Sequence, residues 1–518
     1  MSTEEFNNDD NQILDKAMAQ SKVVEGSNIV EQSHEGEANA AVNKNMGVNF
    51  IFSVLKSMMG VVFPLITFPY ATRVLGPECL GKIDYAYANV SYFVLIASFG
   101  VASYAIREGS KSRDDRAKIS RFASEMLCIN AVAVLVAYAL FLIFLCIPKM
   151  SGYRDLMLLF SVSICLTPIG VEWIYNIYEE YRYITVRAFL FQLLAVVVLY
   201  TCVKDRNDYM IYAGTLILSS VGSNIVNILR LKRFVDFKPV FSKALLKHIK
   251  PMAYLFVMII ASSIYLIMDR SMLGYITGDD REVGLYTTAI KVMTVLTSIL
   301  ASVRTVVIPR SAYYVKSNPE KSQELNYTTL KIVYLISIPC AVGIALLADR
   351  VMVLFAGSEY LESGSVLKIL MLDLILSAAN GVIINQIFII NKRDKIASMA
   401  IISGAVANLI LNIILIQLIG KYGAAISTCV AELVILIFAC IAGRDIFKPE
   451  KVLGQILQSI IASMPMVLIY YAIDAAGLGD LAVIGVMVIV GAAAYFGVLL
   501  IMKNKLLQDL LGGVRKKI

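Results

Sequence analysis

The 518-residue chain is 58% hydrophobic and only 17% charged, with a mean hydropathy of +0.72 and a net charge of +8. A soluble domain carries about a quarter charged residues, whereas apolar runs of roughly eighteen residues or more recur along most of this chain, which predicts an all-α polytopic membrane protein. The eight cysteines form no C-x-x-C pair and the two histidines, His34 and His248, lie far apart, so no metal centre or histidine-based catalytic group can be assembled.

Residues 1–45 are polar and acidic, with "STEEFNNDDNQ" and "EQSHEGEANA" as typical stretches, and read as a disordered cytoplasmic tail that cannot bury enough apolar surface to order itself. No basic region followed by a short apolar stretch and a small-residue cleavage site precedes the first span, which is expected to act as an uncleaved anchor. Fourteen transmembrane helices follow, at 47–71, 82–106, 119–147, 154–177, 183–203, 208–230, 249–269, 283–308, 327–348, 362–390, 395–418, 422–443, 452–474 and 480–502. Span one carries Ser53, Lys56, Ser57, Gly60, Pro64 and Thr67 on one helix face. Such a face can be a helix-packing surface, but a lysine in a membrane costs about 2.5–3.5 kcal/mol unless it meets water or a partner, so Lys56 either faces a cavity or snorkels to the cytoplasmic side. Pro64 and Pro69 bend the same span, which is tolerable where cavity water or neighbours satisfy the freed carbonyls.

Further along, Asp84, Tyr87 and Ser91 share a face of span two, and Glu172 and Asn176 follow Pro168 in span four. Ser262, Tyr265 and Asp269 line up on span seven. Span eight repeats the design of span one, with Thr287, Lys291, Thr294, Ser298, Ser302 and Thr305 in a stripe and Arg304 beside it. Asp373, Ser377 and Asn380 fall in span ten and Glu432 in span twelve. Carboxylates inside a membrane pair with cations, relay protons or coordinate ions.

Basic residues crowd one set of loops, among them "REGSKSRDDRAK", "NKRDK", "RDIFKPEK" and the terminal "GGVRKKI", which places both termini in the cytoplasm by the positive-inside rule. The basic linker 231–248 divides an N-lobe, 46–230, from a C-lobe, 249–445, and 446–518 holds spans thirteen and fourteen with a basic tail. "RVLGPECLGKIDYAYAN" after span one has a partner in "RSMLGYITGDDREVGLYTTAIK" after span seven. Six spans separate the copies, so they keep one orientation and form parallel repeats. A lumen between similar halves is expected. In it Lys56, Lys291 and Arg304 suit a phosphate or diphosphate, and Ser53, Thr294, Ser298, Asn176 and Asn380 add the hydroxyls and amides that suit sugars. Arg73 and Arg270, equivalent in the two halves, are expected near the outer mouth, paired with Asp84 or Asp269 as a gate, while Glu172, Asp373 and Glu432 are candidates for gating or ion coupling.

"PLITFPYATRVLGPECLGKIDYA", "YFVLIASFGVASYAIREGSKSRDD" and "MDRSMLG...EVGLYTTAIKV...RTVVIPRSA" resemble the polysaccharide transporter family, the Wzx-type oligosaccharide flippases of the multidrug/oligosaccharidyl-lipid/polysaccharide flippase superfamily. The likeness covers about 46–445. It implies two six-helix lobes forming a V plus a C-terminal helix pair. It also implies alternating-access movement of undecaprenyl-diphosphate-linked oligosaccharide repeat units from the inner to the outer leaflet of the bacterial cytoplasmic membrane, for O-antigen, capsule or exopolysaccharide. Coupling to H+ or Na+ is expected and no other cofactor. Membrane lipid surrounds the substrate's tail, and a polymerase and glycosyltransferases of the same pathway are the expected partners. The acidic tail departs from the family pattern. Within the superfamily the alternatives are a lipid II flippase or an ion-coupled multidrug extruder, although an extruder would favour about twelve spans and a lumen of carboxylates and aromatics. A membrane polymerase or ligase is disfavoured because the predicted outer loops are short and no catalytic cluster stands out.

Overall fold

The computed structural model describes residues 6–239 and 245–515. Side chains before Val48, and those of Ser262 and Tyr265, lie outside the described set, so the expectation for that face of span seven falls there too, while the backbone of 6–45, expected as a disordered tail, runs as helix at the start of the first element. The described residues form sixteen α-helices and no strand. Eleven helical stretches are long and apolar enough to cross a membrane.

The first helix, α1 (Phe6–Ser98), holds two spans joined at Gly76, whose φ of 73° and ψ of 171° suit a residue without a Cβ. Lys56, before this break, ion-pairs with Glu172, and Glu172 lines the same cavity as Ser98, after it. The chain therefore reverses at Gly76. α2 (Val101–Gly109) completes span two, and α3 (Arg116–Leu145) starts where the Asp115 carboxylate accepts from the N–H groups of Ala117 and Lys118, both at 3.0 Å. Span four is broken into α4 (Arg154–Ile169) and α5 (Glu172–Ile177) by Val171 at φ 41°. α6 (Tyr181–Cys202) follows, and then span six, built from α7 (Tyr209–Ile217), a π-helical turn at Leu218–Gly222, and α8 (Asn224–Leu231).

The C-lobe comprises α9 (Leu246–Thr277), α10 (Asp280–Ser317), α11 (Pro319–Ala356), α12 (Leu361–Val382) with its π-helical extension Ile383–Phe388, and α13 (Asp394–Ala442). Asn318 caps α11 through the Lys321 N–H, and Pro319 takes the first helical position, where no N–H is needed. Like α1, α13 contains two spans: it breaks at Ile419 and Gly420, and Gly404 before the break packs on Ala431 and Ile435 after it. α14 (Glu450–Ala475), α15 (Asp480–Ile501) and α16 (Lys505–Arg515) complete the chain. The terminal pair docks on α11, where the Tyr495 hydroxyl donates to the Leu335 carbonyl at 2.7 Å and Arg350 bridges Asp474 and Asp480. The fourteen expected passages are accounted for: α1 and α13 each contribute two, and α9 one.

The lobes are sealed together at one end. Just after the two reversals of the repeat, span two crosses α10 so closely that a Cβ on Gly81 would collide with the Asp280 carbonyl, and one on Gly284 with the Pro77 carbonyl. Each clash partner lies one turn before the opposite glycine, so the contact is symmetric between the halves. Around it, Arg206 pairs with Glu359 at 2.6 Å, Arg73 donates to the Leu354 carbonyl at 2.5 Å, and the Tyr153 hydroxyl donates to Asp280 at 2.7 Å. At the opposite end, which carries the basic loops, the polar cross-links among the described residues come from the start of α9, where buried His248 meets Glu125 and Tyr104, each at 2.8 Å.

Gly81→Ala is expected to prop the seal open, because the new methyl group meets backbone and not a flexible side chain. With Thr287→Cys as a reporter behind the seal in a cysteine-free background, the alanine variant should react with an impermeant maleimide from the sealed side at least about tenfold faster. Equal labelling rates would remove the glycine crossing from the account.

Candidate functional site

Behind the glycine crossing lies a charge pair between the lobes. Asp84 follows Gly81 by about one turn and Lys291 follows Gly284 by about two, so the crossing brings them together. The Lys291 ammonium donates to both Asp84 oxygens, at 3.1 and 3.3 Å, and sits 3.9 Å from the centre of the Phe68 ring. Asp84 is 5% exposed, so its charge depends on this partner.

In the N-lobe, Lys56 ion-pairs with Glu172, and Arg187 of α6 donates to the other carboxylate oxygen at 3.0 Å. Arg187 is buried and also donates to the Ser223 carbonyl at 3.3 Å. Glu172 opens α5 directly after the left-handed Val171, so the break in span four aims this carboxylate at two cations.

The C-lobe holds two adjoining cavities of about 360 and about 320 Å³, which share Arg304, Ser377 and Glu432. Arg270 lines the first. Among the described residues neither Arg270 nor Arg304 has a carboxylate partner within ion-pair distance. Asp269 lines the same cavity but is saturated, accepting from Tyr286, Thr428 and Asn412, each at 2.7 Å. Asp373 differs. It is 2% exposed and its Oδ1 has no hydrogen-bond partner among the described residues. The same holds for Ser377 Oγ, Asn380 Oδ1 and Asn412 Oδ1. Asn380 donates to the Glu432 carboxylate at 2.6 Å. A buried polar atom without a partner costs about 1–3 kcal/mol, and a cluster of such oxygens invites a proton or a small cation.

Several expectations change in this light. Arg73 and Arg270 do not pair with Asp84 or Asp269. Arg73 reaches the Leu354 carbonyl in the last turn of α11, where carbonyls lack helical partners and the helix dipole favours a cation. Asp84 belongs to Lys291, and Asp269 is held by neutral donors. Of the three expected phosphate ligands, Lys56 and Lys291 are already paired and Arg304 is not. Thr294 and Ser298 line the C-lobe cavity but hydrogen-bond back to their own helix, to the carbonyls of Ile290 and Thr294. Ser53 is exposed on α1, and Asn176 sits near the basic end of α5, apart from both C-lobe cavities. Arg187 and Asn412 are additions. Arg187 looks in sequence like a helix-end charge, whereas the spacing of Asn408 and Asn412 in span eleven was a readable signal.

A family model described as polysaccharide biosynthesis protein matches residues 46–315, more than half of the chain. A candidate O-antigen transporter of Shigella dysenteriae is 22% identical over 76% of this chain and 98% of its own length, and its counterpart in Escherichia coli strain K12 is 23% identical over 74% and 93%. Among solved structures, the fold is similar to the lipid II flippase MurJ in an inward closed conformation (TM-score 0.71, 16% identity, 89% of this chain and 100% of that one). It is also similar to an inward-facing multidrug resistance MATE transporter (TM-score 0.56, 17% identity, 76% and 97%).

Lys291→Met should leave the buried Asp84 carboxylate with only the Thr287 hydroxyl and the more distant Arg270 as favourable neighbours, and lower stability toward the bottom of the roughly 3–5 kcal/mol that breaking a buried pair costs. The double variant Asp84→Asn/Lys291→Met should recover most of that loss. Thermal unfolding of the purified proteins in detergent measures the cycle, and additive losses would show that the two groups do not interact.

Proposed function

The chain belongs to the polysaccharide biosynthesis protein family, and on that premise we propose that it is a flippase for undecaprenyl-diphosphate-linked oligosaccharide repeat units in the bacterial cytoplasmic membrane. The observation that carries this reading is the pair of arginines, Arg270 and Arg304, held without carboxylate partners in the wall of the C-lobe cavity. A half-buried guanidinium without a carboxylate partner is costly, and a diphosphate repays that cost through two-pronged, charge-assisted hydrogen bonds. A cationic drug, the cargo of the extruder alternative, would instead be repelled by the same pair.

In this reading the basic end faces the cytoplasm and the sealed end faces outward. The sugar-diphosphate head enters between the parted lobes while its polyprenyl tail stays in lipid. Once inside, the diphosphate competes with Asp84 for Lys291. Weakening that pair loosens the seal, so an occupied lumen opens outward more readily than an empty one, as a ligand with differential affinity for two states requires. Asp373, with Ser377 and Asn380 beside it on span ten, takes up H+ or Na+ and couples the return of the empty carrier to an ion gradient. A polymerase and glycosyltransferases of the same pathway are the expected partners.

Arg304→Ala should cut surface polysaccharide at least about tenfold in cells that depend on this chain, at equal protein level, and Arg304→Lys should recover part of it because a point cation replaces the planar fork. Full export by the alanine variant would sink the head-group role. Separately, Asp373→Asn in proteoliposomes should abolish the response of flipping to an imposed proton or sodium gradient while substrate binding persists. An unchanged gradient response would rule this carboxylate out of coupling.

A further inference from the structure

The two lobes offer different chemistry. On the N-lobe side of the lumen, two cavities of about 290 Å³ each adjoin through Thr167, Ser220 and Val221, the first closed on its far side by Ser263 and Ile267 of α9. Together they reach the size of ordinary small-molecule sites. The first cavity has no charged side chain in its lining, and the second has one, Glu172, held in a triad with Lys56 and Arg187 whose net charge is positive. The lining of the first cavity is therefore uncharged, with hydroxyls set among apolar side chains, whereas the C-lobe space carries two arginines without a carboxylate at ion-pair distance.

Ser91, Ser98 and Ser220 bond back to carbonyls of their own helices, but three further hydroxyls of the lining do not. Tyr87 and Ser91 occupy one face of span two, and Ser163 and Thr167 one face of α4. The hydroxyls of Tyr87, Ser163 and Thr167 have no hydrogen-bond partner among the described residues. The Tyr87 ring packs edge-on against Phe160 at 5.4 Å and remains 41% exposed, which leaves it free for a further contact. Serine and threonine in a membrane helix ordinarily bond back to their own carbonyls, as Thr294 and Ser298 do in α10. The backbone beside this cavity is irregular as well, with Val171 left-handed and Ser220 inside a π-helical turn. Such departures cost energy and gather at binding sites.

We infer that the N-lobe cavity is the glycan subsite: it receives the uncharged sugar residues of the head group while the C-lobe arginines hold the diphosphate, and its hydroxyl lining sets which repeat unit is accepted. The inference rests on the flippase reading above. Sugars present hydroxyl donors and acceptors around apolar C–H faces, which hydroxyl-rich walls and an exposed tyrosine match, and an uncharged wall adds nothing for a phosphate.

The test compares binding of two probes to the purified full chain: undecaprenyl diphosphate without sugar, and the lipid-linked oligosaccharide extracted from the source cells. The wild type should prefer the sugar-bearing probe by about tenfold, the equivalent of one or two good hydrogen bonds. The triple variant Tyr87→Phe/Ser163→Ala/Thr167→Val removes three hydroxyls with little change of shape. It should bind the bare diphosphate as the wild type does and lose the preference to within about twofold. Arg304→Ala should weaken both probes together. A triple variant that keeps the tenfold preference, or a wild type with none, overturns the glycan assignment while leaving the diphosphate site standing. Failure of both probes to bind the wild type would instead strike the flippase reading, and this inference with it.

Discussion

Two helices can touch backbone to backbone only where neither carries a Cβ, and the arrangement of this protein depends on one such place. At the crossing of span two with α10, Gly81 and Gly284 each face a carbonyl of the other helix. Everything at the sealed end follows from that approach. It sets Asp84 beside Lys291, brings Arg206 to Glu359, and lets Arg73 reach the end of α11. Contacts of this kind are short and additive but individually breakable, which suits a seal that has to open. The core of each lobe, by contrast, is close-packed apolar helix.

Charge is the second organising constraint. In a low-dielectric interior every ionised group needs a partner or water, and most here have one. Lys56 and Arg187 share Glu172, Lys291 holds Asp84, and Lys421, at the reversal in α13, is bonded to Glu282 and Glu362. The exceptions that line a cavity include two arginines and a group of oxygens without partners in the C-lobe, and unspent hydroxyls on an uncharged wall on the N-lobe side. A substrate with an anionic diphosphate and a neutral glycan has the complementary division. The two halves share an architecture, and the difference between them lies in which polar groups were left unsatisfied.

Irregular backbone falls where these groups are. Val171 takes a left-handed conformation immediately before Glu172, a π-helical turn carries Ser220, and another follows Asn380 in span ten. Inside a membrane such segments are tolerated only against protein or a water-filled cavity, so their positions trace the lumen independently of any side-chain chemistry. The terminal helices α14 and α15 lack comparable breaks and pack along α11, outside the repeat.

The sequence by itself determined the membrane class, the fourteen passages, the two-lobed repeat and the presence of charges that had to meet a partner or a cavity, because hydropathy, loop charge and insertion cost are local properties of the chain. It also marked Lys56, Asp84, Lys291, Arg304 and Asp373 as exceptional, since an ionisable residue in an apolar run is conspicuous wherever it points. It left the pairings open. That Lys291 serves Asp84, that Arg73 ends on a helix carbonyl, that Arg187 lies buried beside Glu172, and that Arg304 alone of the three expected cations is unpaired were decided by how helices distant in the chain cross, and the angle and depth of a crossing are set by packing between surfaces that no single segment encodes.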